Sequence, residues 1–183
     1  GARRFGSVGK ALPGVKIEID QSVDGSLEED GEVIAYGENI MKGYHNLPEE
    51  NKKIINEKGG LKTGDLGHFD EDGYLYITGR VKEQYKLENG KFVSPAPLEE
   101  SLKLSAYIDQ VMLYGFNRPF NVALIVVAIP SLEQYAKEKG ISNDIEKLLV
   151  HPLVKELFTS QLEKYGKDFK GFENPKNFAL LRE

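Results

Sequence analysis

The chain has 183 residues, 40% of them hydrophobic and 29% charged, with 24 Lys and Arg against 29 Asp and Glu for a formal net charge of −5. At about 100–200 residues per domain this is one domain or two small ones, and the apolar share excludes a disordered tail or a collagen-like repeat. Residues 1–80 carry 10 basic and 15 acidic side chains and residues 81–183 carry 14 of each. Neither half has the basic excess of a nucleic-acid binder, so nucleic acid is not expected as a partner. Cysteine is absent, which excludes disulfides, thiolate catalysis and cysteine-ligated metal and fits a reducing compartment. The longest apolar stretch, Val122 to Ile129, is strand length, short of the about 18 residues of a transmembrane helix. Gly1 to Gly9 has no apolar segment of the secretory kind.

In chain order, Val15, Ile17 and Ile19 alternate with Lys16 and Glu18 as in a half-buried strand. Asp24-Gly25 and Asp30-Gly31 read as turns, and Glu32 to Tyr36 as the next strand. Leu47-Pro48-Glu49-Glu50 opens a short helix that should end near Gly59-Gly60. Asp72-Gly73 lies between Leu66–Phe69 and Tyr74–Thr78, the signal of a two-residue hairpin loop. Asn89-Gly90 marks a second hairpin between Gln84–Glu88 and Lys91–Val93, with Glu88 opposing Lys91. Pro95 and Pro97 start a helix with Leu98, Leu102 and Ala106 on its buried face. Val111–Phe116 and Phe120–Ile129 read as strands joined at Asn117-Arg118-Pro119. Ser131 with Gln134 and Asn143 with Glu146 read as capping boxes, and Gly140 as a helix stop. Pro152 begins a longer helix with Leu153, Leu157, Phe158, Leu162 and Tyr165 on one face, and Phe178–Leu181 reads as a last strand. The sum is a β-rich piece over residues 1–80 and an α+β piece over 81–183, joined at Gly79-Arg80-Val81-Lys82.

Three groups of side chains could carry chemistry. Asp65 follows Thr63-Gly64 at the expected mouth of a strand, where a carboxylate can accept two hydrogen bonds from a vicinal diol such as a ribose. On four residues alone an ordinary turn with a capping Asp accounts for the segment better. Arg80 at the joint could hold a phosphate or sugar, although a surface ion pair explains a lone Arg more simply. Lys82 and Lys86, four apart beside the expected hairpin, could hold an anion between them, although they and Lys91 could equally be solvated strand lysines. His45, His68 and His151 are scattered without metal-ligand spacing, so no metal site is expected. No Walker loop and no nucleophile elbow is present.

Taken together and in order, these segments resemble the adenylate-forming acyl-CoA synthetases. Gly6-Ser7-Val8-Gly9-Lys10-Ala11-Leu12-Pro13-Gly14 is similar to the family's G-x-x-G-x-P-x-P-G segment, with Ala11 where Pro is common. Gly31-Glu32-Val33, Gly37 and Met41-Lys42-Gly43-Tyr44 resemble its next motif. Thr63-Gly64-Asp65-Leu66 matches its TGD motif, with Leu61 in the aromatic place. Gly79-Arg80-Val81-Lys82 with Lys86, Gly90, Pro95 and Glu99 matches the motif at its domain joint. The Lys86–Pro95 stretch, and the helical stretch His151–Lys170 ahead of Gly171–Lys176, look like the long-chain fatty acid–CoA ligase version.

The resemblance implies a fold class of α+β: the β-rich, distorted barrel-like end of a large AMP-binding domain, residues 1–80, then the small mobile C-terminal domain, residues 81–183. It implies that Asp65 binds the ribose hydroxyls of ATP and of the acyl-adenylate, that Arg80 contacts ribose or phosphate, and that Lys82 is the hinge. Lys86 would come near the adenylate in the second step, as the second-step lysine, and Gly90 and Phe92 would lie on a hairpin near the pantetheine path. The implied activity is two-step, with a fatty acid activated by ATP to the acyl-adenylate and then transferred to CoA. ATP, Mg2+ and CoA are the implied cofactors, with the magnesium ligands outside the chain. The family's phosphate loop, its adenine-binding motif, its fatty-acid tunnel and its principal catalytic lysine are not in these residues. Lys176 follows a Pro but lacks the rest of the lysine motif. The chain is therefore expected to be an inactive C-terminal fragment of a cytoplasmic parent with room for peripheral membrane association. The alternatives are another acyl or aryl acid–CoA ligase, a peptide-synthetase adenylation domain, or a stand-alone non-catalytic binding module.

Overall fold

The structure, a computed structural model, describes residues 4–24 and 29–183. The turn expected at Asp24-Gly25 has its glycine outside the described residues. The chain divides into two compact units, Gly1–Gln84 and Tyr85–Glu183.

The first unit is an antiparallel meander of β1 (Lys16–Asp20), β2 (Gly31–Tyr36), β3 (Leu61–Phe69) and β4 (Leu75–Arg80), in that spatial order. The expected barrel-like form is thus an open sheet among the described residues, with β1 and β4 at its edges. β2 is central, and Val33, Ile34 and Ala35 are buried on it, with Leu66 beside them. Burial on both faces is why β2 reads as a continuous apolar run rather than an alternation. Helix α1 (Pro48–Ile54) stops earlier than expected. Ile55 turns extended and bridges to Leu61, while the Asn56 side chain accepts from the Gly60 N–H at 2.8 Å and so builds the turn that ends before β3.

The β3–β4 connection is a three-residue loop rather than the two-residue loop expected from Asp72-Gly73. Phe69 pairs with Leu75, and the N–H groups of Asp70 and Gly73 donate to the carbonyls of Tyr74 and Asp70, each at 3.0 Å. Asp70 Oδ1 accepts from the Asp72 and Tyr74 N–H groups, which favours this wider turn.

The second unit holds a hairpin, β5 (Tyr85–Lys86) and β6 (Phe92–Val93), and a sheet of β7 (Ile108–Tyr114), β8 (Val122–Val127) and β9 (Asn177–Leu181). β7 runs antiparallel and β9 parallel to β8. The connection from β8 to β9 carries α3 (Ile129–Lys139), α4 (Ile145–Leu149) and α5 (Pro152–Gly166), and α2 (Pro95–Leu102) packs on α5 and β7. Leu98, Leu102, Ile125, Leu132, Leu148, Val154 and Phe158 form one core.

Ala106 is exposed and lies beyond α2, which ends at Leu102. The buried line of α5 is Val154, Phe158, Leu162 and Gly166, spaced by four, with Leu153 36% exposed. Ser131 caps nothing because α3 has already begun at Ile129, with Pro130 in its first turn. Asn143 is not the cap of α4. That position is Asp144, whose N–H donates to Ser142 Oγ. Gly140 does stop α3, with φ +66°. Among the described residues no helix is long and apolar enough to cross a membrane.

Candidate active site

Thr63, Gly64 and Asp65 lie inside the nine-residue β3 and not at its mouth. The strand is irregular there. Gly64 has φ +76°, a conformation that costs an L-residue about 1–2 kcal/mol, and the ladder to β2 slips between Glu32 and Ile34, where β3 bulges over Thr63 to Asp65. The bulge is held by its own polar groups. Thr63 Oγ1 donates to the Val33 carbonyl at 2.9 Å and accepts from the Asp65 N–H at 3.1 Å. The Gly64 N–H donates to Oε1 of Glu32 at 3.2 Å, and the Gly64 carbonyl accepts from the Val81 N–H at 2.9 Å. Glu32, 7% exposed on the central strand, thus braces the bulge from behind. Bulges re-aim side chains beside active sites.

Asp65 pairs in register with Arg80 across β3 and β4. Arg80 Nε stands 3.0 Å from Asp65 Oδ1, with the two side chains 56% and 38% exposed. An ion pair this open to water contributes at most about 1 kcal/mol. Its value lies in presenting a carboxylate, which can accept from a diol, beside a guanidinium, which can donate to a phosphate. Lys82 is exposed in the turn that follows, where the Glu83 and Gln84 N–H groups donate to the Arg80 carbonyl at 3.1 and 3.2 Å. Glu50 is held below the usual carboxylate range, first by its hydrogen bond from Lys53 and more weakly by the charge of Lys82.

Lys86, Gly90 and Phe92 come together in the second unit. Lys86 pairs with Phe92 across the hairpin, and its Nζ lies 5.2 Å from the Phe92 ring centroid. The loop between them is Glu88-Asn89-Gly90, with the Gly90 N–H on the Leu87 carbonyl at 2.9 Å and the Leu87 N–H on the Lys91 carbonyl at 2.8 Å. Glu88 therefore does not sit opposite Lys91. Lys91 Nζ instead lies 4.6 Å from the Phe172 ring centroid. Glu99, the last motif residue, is structural: its Oε1 accepts from the Leu113 N–H at 2.7 Å and ties α2 to β7.

Two arrangements are not visible in the linear sequence. His68 Nδ1 lies 2.6 Å from Asp30 Oδ1, and its ring stacks on Tyr76 at 5.6 Å between centroids. Asn121 is fully buried and binds Tyr85. Among the described residues no group of three or more His, Asp or Glu could hold a metal ion.

A family model described as the AMP-binding enzyme C-terminal domain matches residues 82–163. Long-chain-fatty-acid–CoA ligase 5 of Mus musculus is 32% identical over 86% of this chain and 24% of its own length. The putative fatty-acid–CoA ligase fadD11 of Mycobacterium tuberculosis is 33% identical over 97% of this chain and 30% of its own length. The chain thus spans 24% and 30% of the length of these curated relatives. Among solved structures, o-succinylbenzoate CoA synthetase from Bacillus subtilis, in complex with its acyl-adenylate intermediate, superposes with a TM-score of 0.69. It is 25% identical, over 98% of this chain and 33% of that one.

Proposed function

We propose, for a chain that belongs to the adenylate-forming (AMP-binding) acyl and aryl acid–CoA ligase family, that it is part of an ATP-dependent long-chain fatty acid–CoA ligase. The observation that carries the reading is the Asp65–Arg80 pair on the bulged strand. The finer choice of a long-chain acid is supported by the relatives at 32% and 33% identity.

In the first step the acid's carboxylate attacks the α-phosphorus of ATP, the acyl-adenylate forms and pyrophosphate leaves. Asp65 accepts hydrogen bonds from the ribose hydroxyls, and Arg80 donates to the ribose or phosphate. In the second step the CoA thiolate attacks the acyl carbonyl, the thioester forms and AMP leaves. Lys86 supplies positive charge to the adenylate, while Gly90 and Phe92 border the pantetheine path. Between steps residues 81–183 swing as a domain about Lys82, which lies close to the division of the chain after Gln84. Mg2+ accompanies ATP in this reading, and among the described residues no group of three or more His, Asp or Glu could hold it.

The test is a panel of carboxylic acids offered with ATP and CoA to the full-length enzyme, scored by AMP release. Release with long-chain acids is expected. Release only with aryl or short-chain acids would move the substrate class, and no release with any acid would overturn the reading.

A further inference from the structure

Asn121 is the one buried side-chain amide in the core of the second unit among the described residues, 0% exposed, and every group on it is used. Its Oδ1 accepts from the Tyr85 hydroxyl at 2.8 Å. Its Nδ2 donates to the carbonyls of Glu173 at 2.7 Å and Phe172 at 3.3 Å. Its own carbonyl accepts from the Lys176 N–H at 2.8 Å. Core packing alone would have favoured an apolar side chain, because a buried amide stabilises nothing unless all its partners are met.

The partners lead to both strands of the hairpin. Tyr85 immediately precedes Lys86 on β5. Phe172, whose carbonyl Asn121 holds, carries the Lys91 ammonium over its ring on the other side of the loop. The turn after β7 completes the clamp: the Asn117 N–H donates to the Lys86 carbonyl and the Glu88 N–H to the Arg118 carbonyl, each at 3.0 Å. Gly115, on the way into that turn, leaves the room required. A Cβ there would stand 2.1 Å from Asn121 Oδ1 and 2.8 Å from a Leu87 methyl. Burial pushes the Tyr85 phenol far above its ordinary range, with the charge of Glu99 adding to it, so the hydroxyl stays a donor at working pH.

We propose that Asn121, acting through Tyr85 and the Phe172 carbonyl, is a positioning residue that sets the Lys86 hairpin for thioester formation. The inference rests on the reading of Lys86 as a second-step residue. A side chain that must meet an adenylate within a fraction of an ångström needs support behind it, and the buried amide joins Tyr85 on β5 to the Phe172 carbonyl as part of that support.

The test separates the two half-reactions in the full-length enzyme: acid-dependent ATP–pyrophosphate exchange, and acyl-CoA formation from preformed acyl-adenylate. Tyr85→Phe removes one hydroxyl and keeps the ring, so it should fold. It is expected to slow thioester formation by about fivefold, the worth of one neutral hydrogen bond, with exchange within about twofold of wild type. Asn121→Ala should slow it further in the same half-reaction. Equal losses in both half-reactions, tracking a fall in melting temperature, would make the network merely structural and overturn the proposal. So would unchanged thioester formation in Tyr85→Phe. Lys86→Ala tells the two ideas apart. If it impairs thioester formation and Tyr85→Phe does not, the positioning inference fails and the reading of Lys86 stands. If Lys86→Ala changes neither half-reaction, both fall together.

Discussion

Asp65 and Arg80 meet side by side because β3 and β4 pair them in register, with the guanidinium Nε 3.0 Å from the carboxylate. The pair is mostly open to water, so it adds little to stability. In the full-length enzyme Asp65→Ala is expected to raise the KM for ATP about tenfold or more, with the melting temperature nearly unchanged. Unaltered ATP kinetics would remove Asp65 from the nucleotide site.

The bulge that aims Asp65 depends on Gly64 at φ +76°. Space is not the difficulty, since a Cβ there would come no closer than 3.7 Å to the Arg80 guanidinium. The backbone conformation is. Gly64→Ala is expected to destabilise the first unit by about 1–2 kcal/mol in denaturant titrations and to weaken ATP use. Full stability in this variant would show that the bulge is not strained.

Acid should loosen the first unit. Asp20 is held low by the Ser22 hydroxyl and N–H, and Glu18 by Lys16 and then Tyr36. For Asp70 burial pushes upward, but hydrogen bonds from the Tyr74 N–H and Arg4 outweigh it and leave the group low. Folded-state values below the unfolded ones mean that the stabilisation is complete above the usual carboxylate range and is lost as pH falls through the folded values. Urea midpoints for this unit are expected to decline from about pH 5 downward. An Asp20→Asn, Asp70→Asn double variant should decline less steeply, and an identical slope would discount these groups.

Phe158 lies at the centre of the second unit, fully buried and with its ring 6.4 Å from that of Phe178 on β9. Phe158→Ala is expected to cost about 3–5 kcal/mol. Hydrogen exchange should quicken across β7 to β9 and stay unchanged in β1 to β4, which share none of this core. Exchange that quickens equally in both units would mean that they unfold as one.

The order of elements was legible in the sequence because it rests on local signals: alternation, turn dipeptides and glycines. The misreadings came where a tertiary partner overrode a local rule. Asp72-Gly73 suggested a two-residue loop, but Asp70 captured two N–H groups and widened it. Ser131 and Asn143 have the spacing of capping boxes, yet α3 starts at Ile129 after Ala128, and Asp144 holds the cap position of α4. On α5 Phe158 and Leu162 are buried as expected, but Val154 rather than Leu153 carries the line toward the helix start, because both are apolar and only packing decides which faces inward. At the site, Asp65 and Arg80 could be named singly, but their meeting depends on a slipped register that no linear pattern encodes. Asn121 carried no signal at all: its meaning comes from Tyr85, Phe172 and Glu173, which fold brings to it from far along the chain.

The parallel pairing of β9 with β8, Val122 beside Asn177 and Val126 beside Leu181, sets an order of events during synthesis. The first unit's sheet joins strands that follow one another, so each can pair as it leaves the ribosome. In the second unit β8 waits for β9 while three helices stand between. Until then β8 has one bare edge, and Ile125 lacks its neighbour Leu180. The first unit's four-stranded sheet can thus pair before β9 is made, and the nascent chain carries an unsatisfied strand edge on β8 until Asn177–Leu181 emerge.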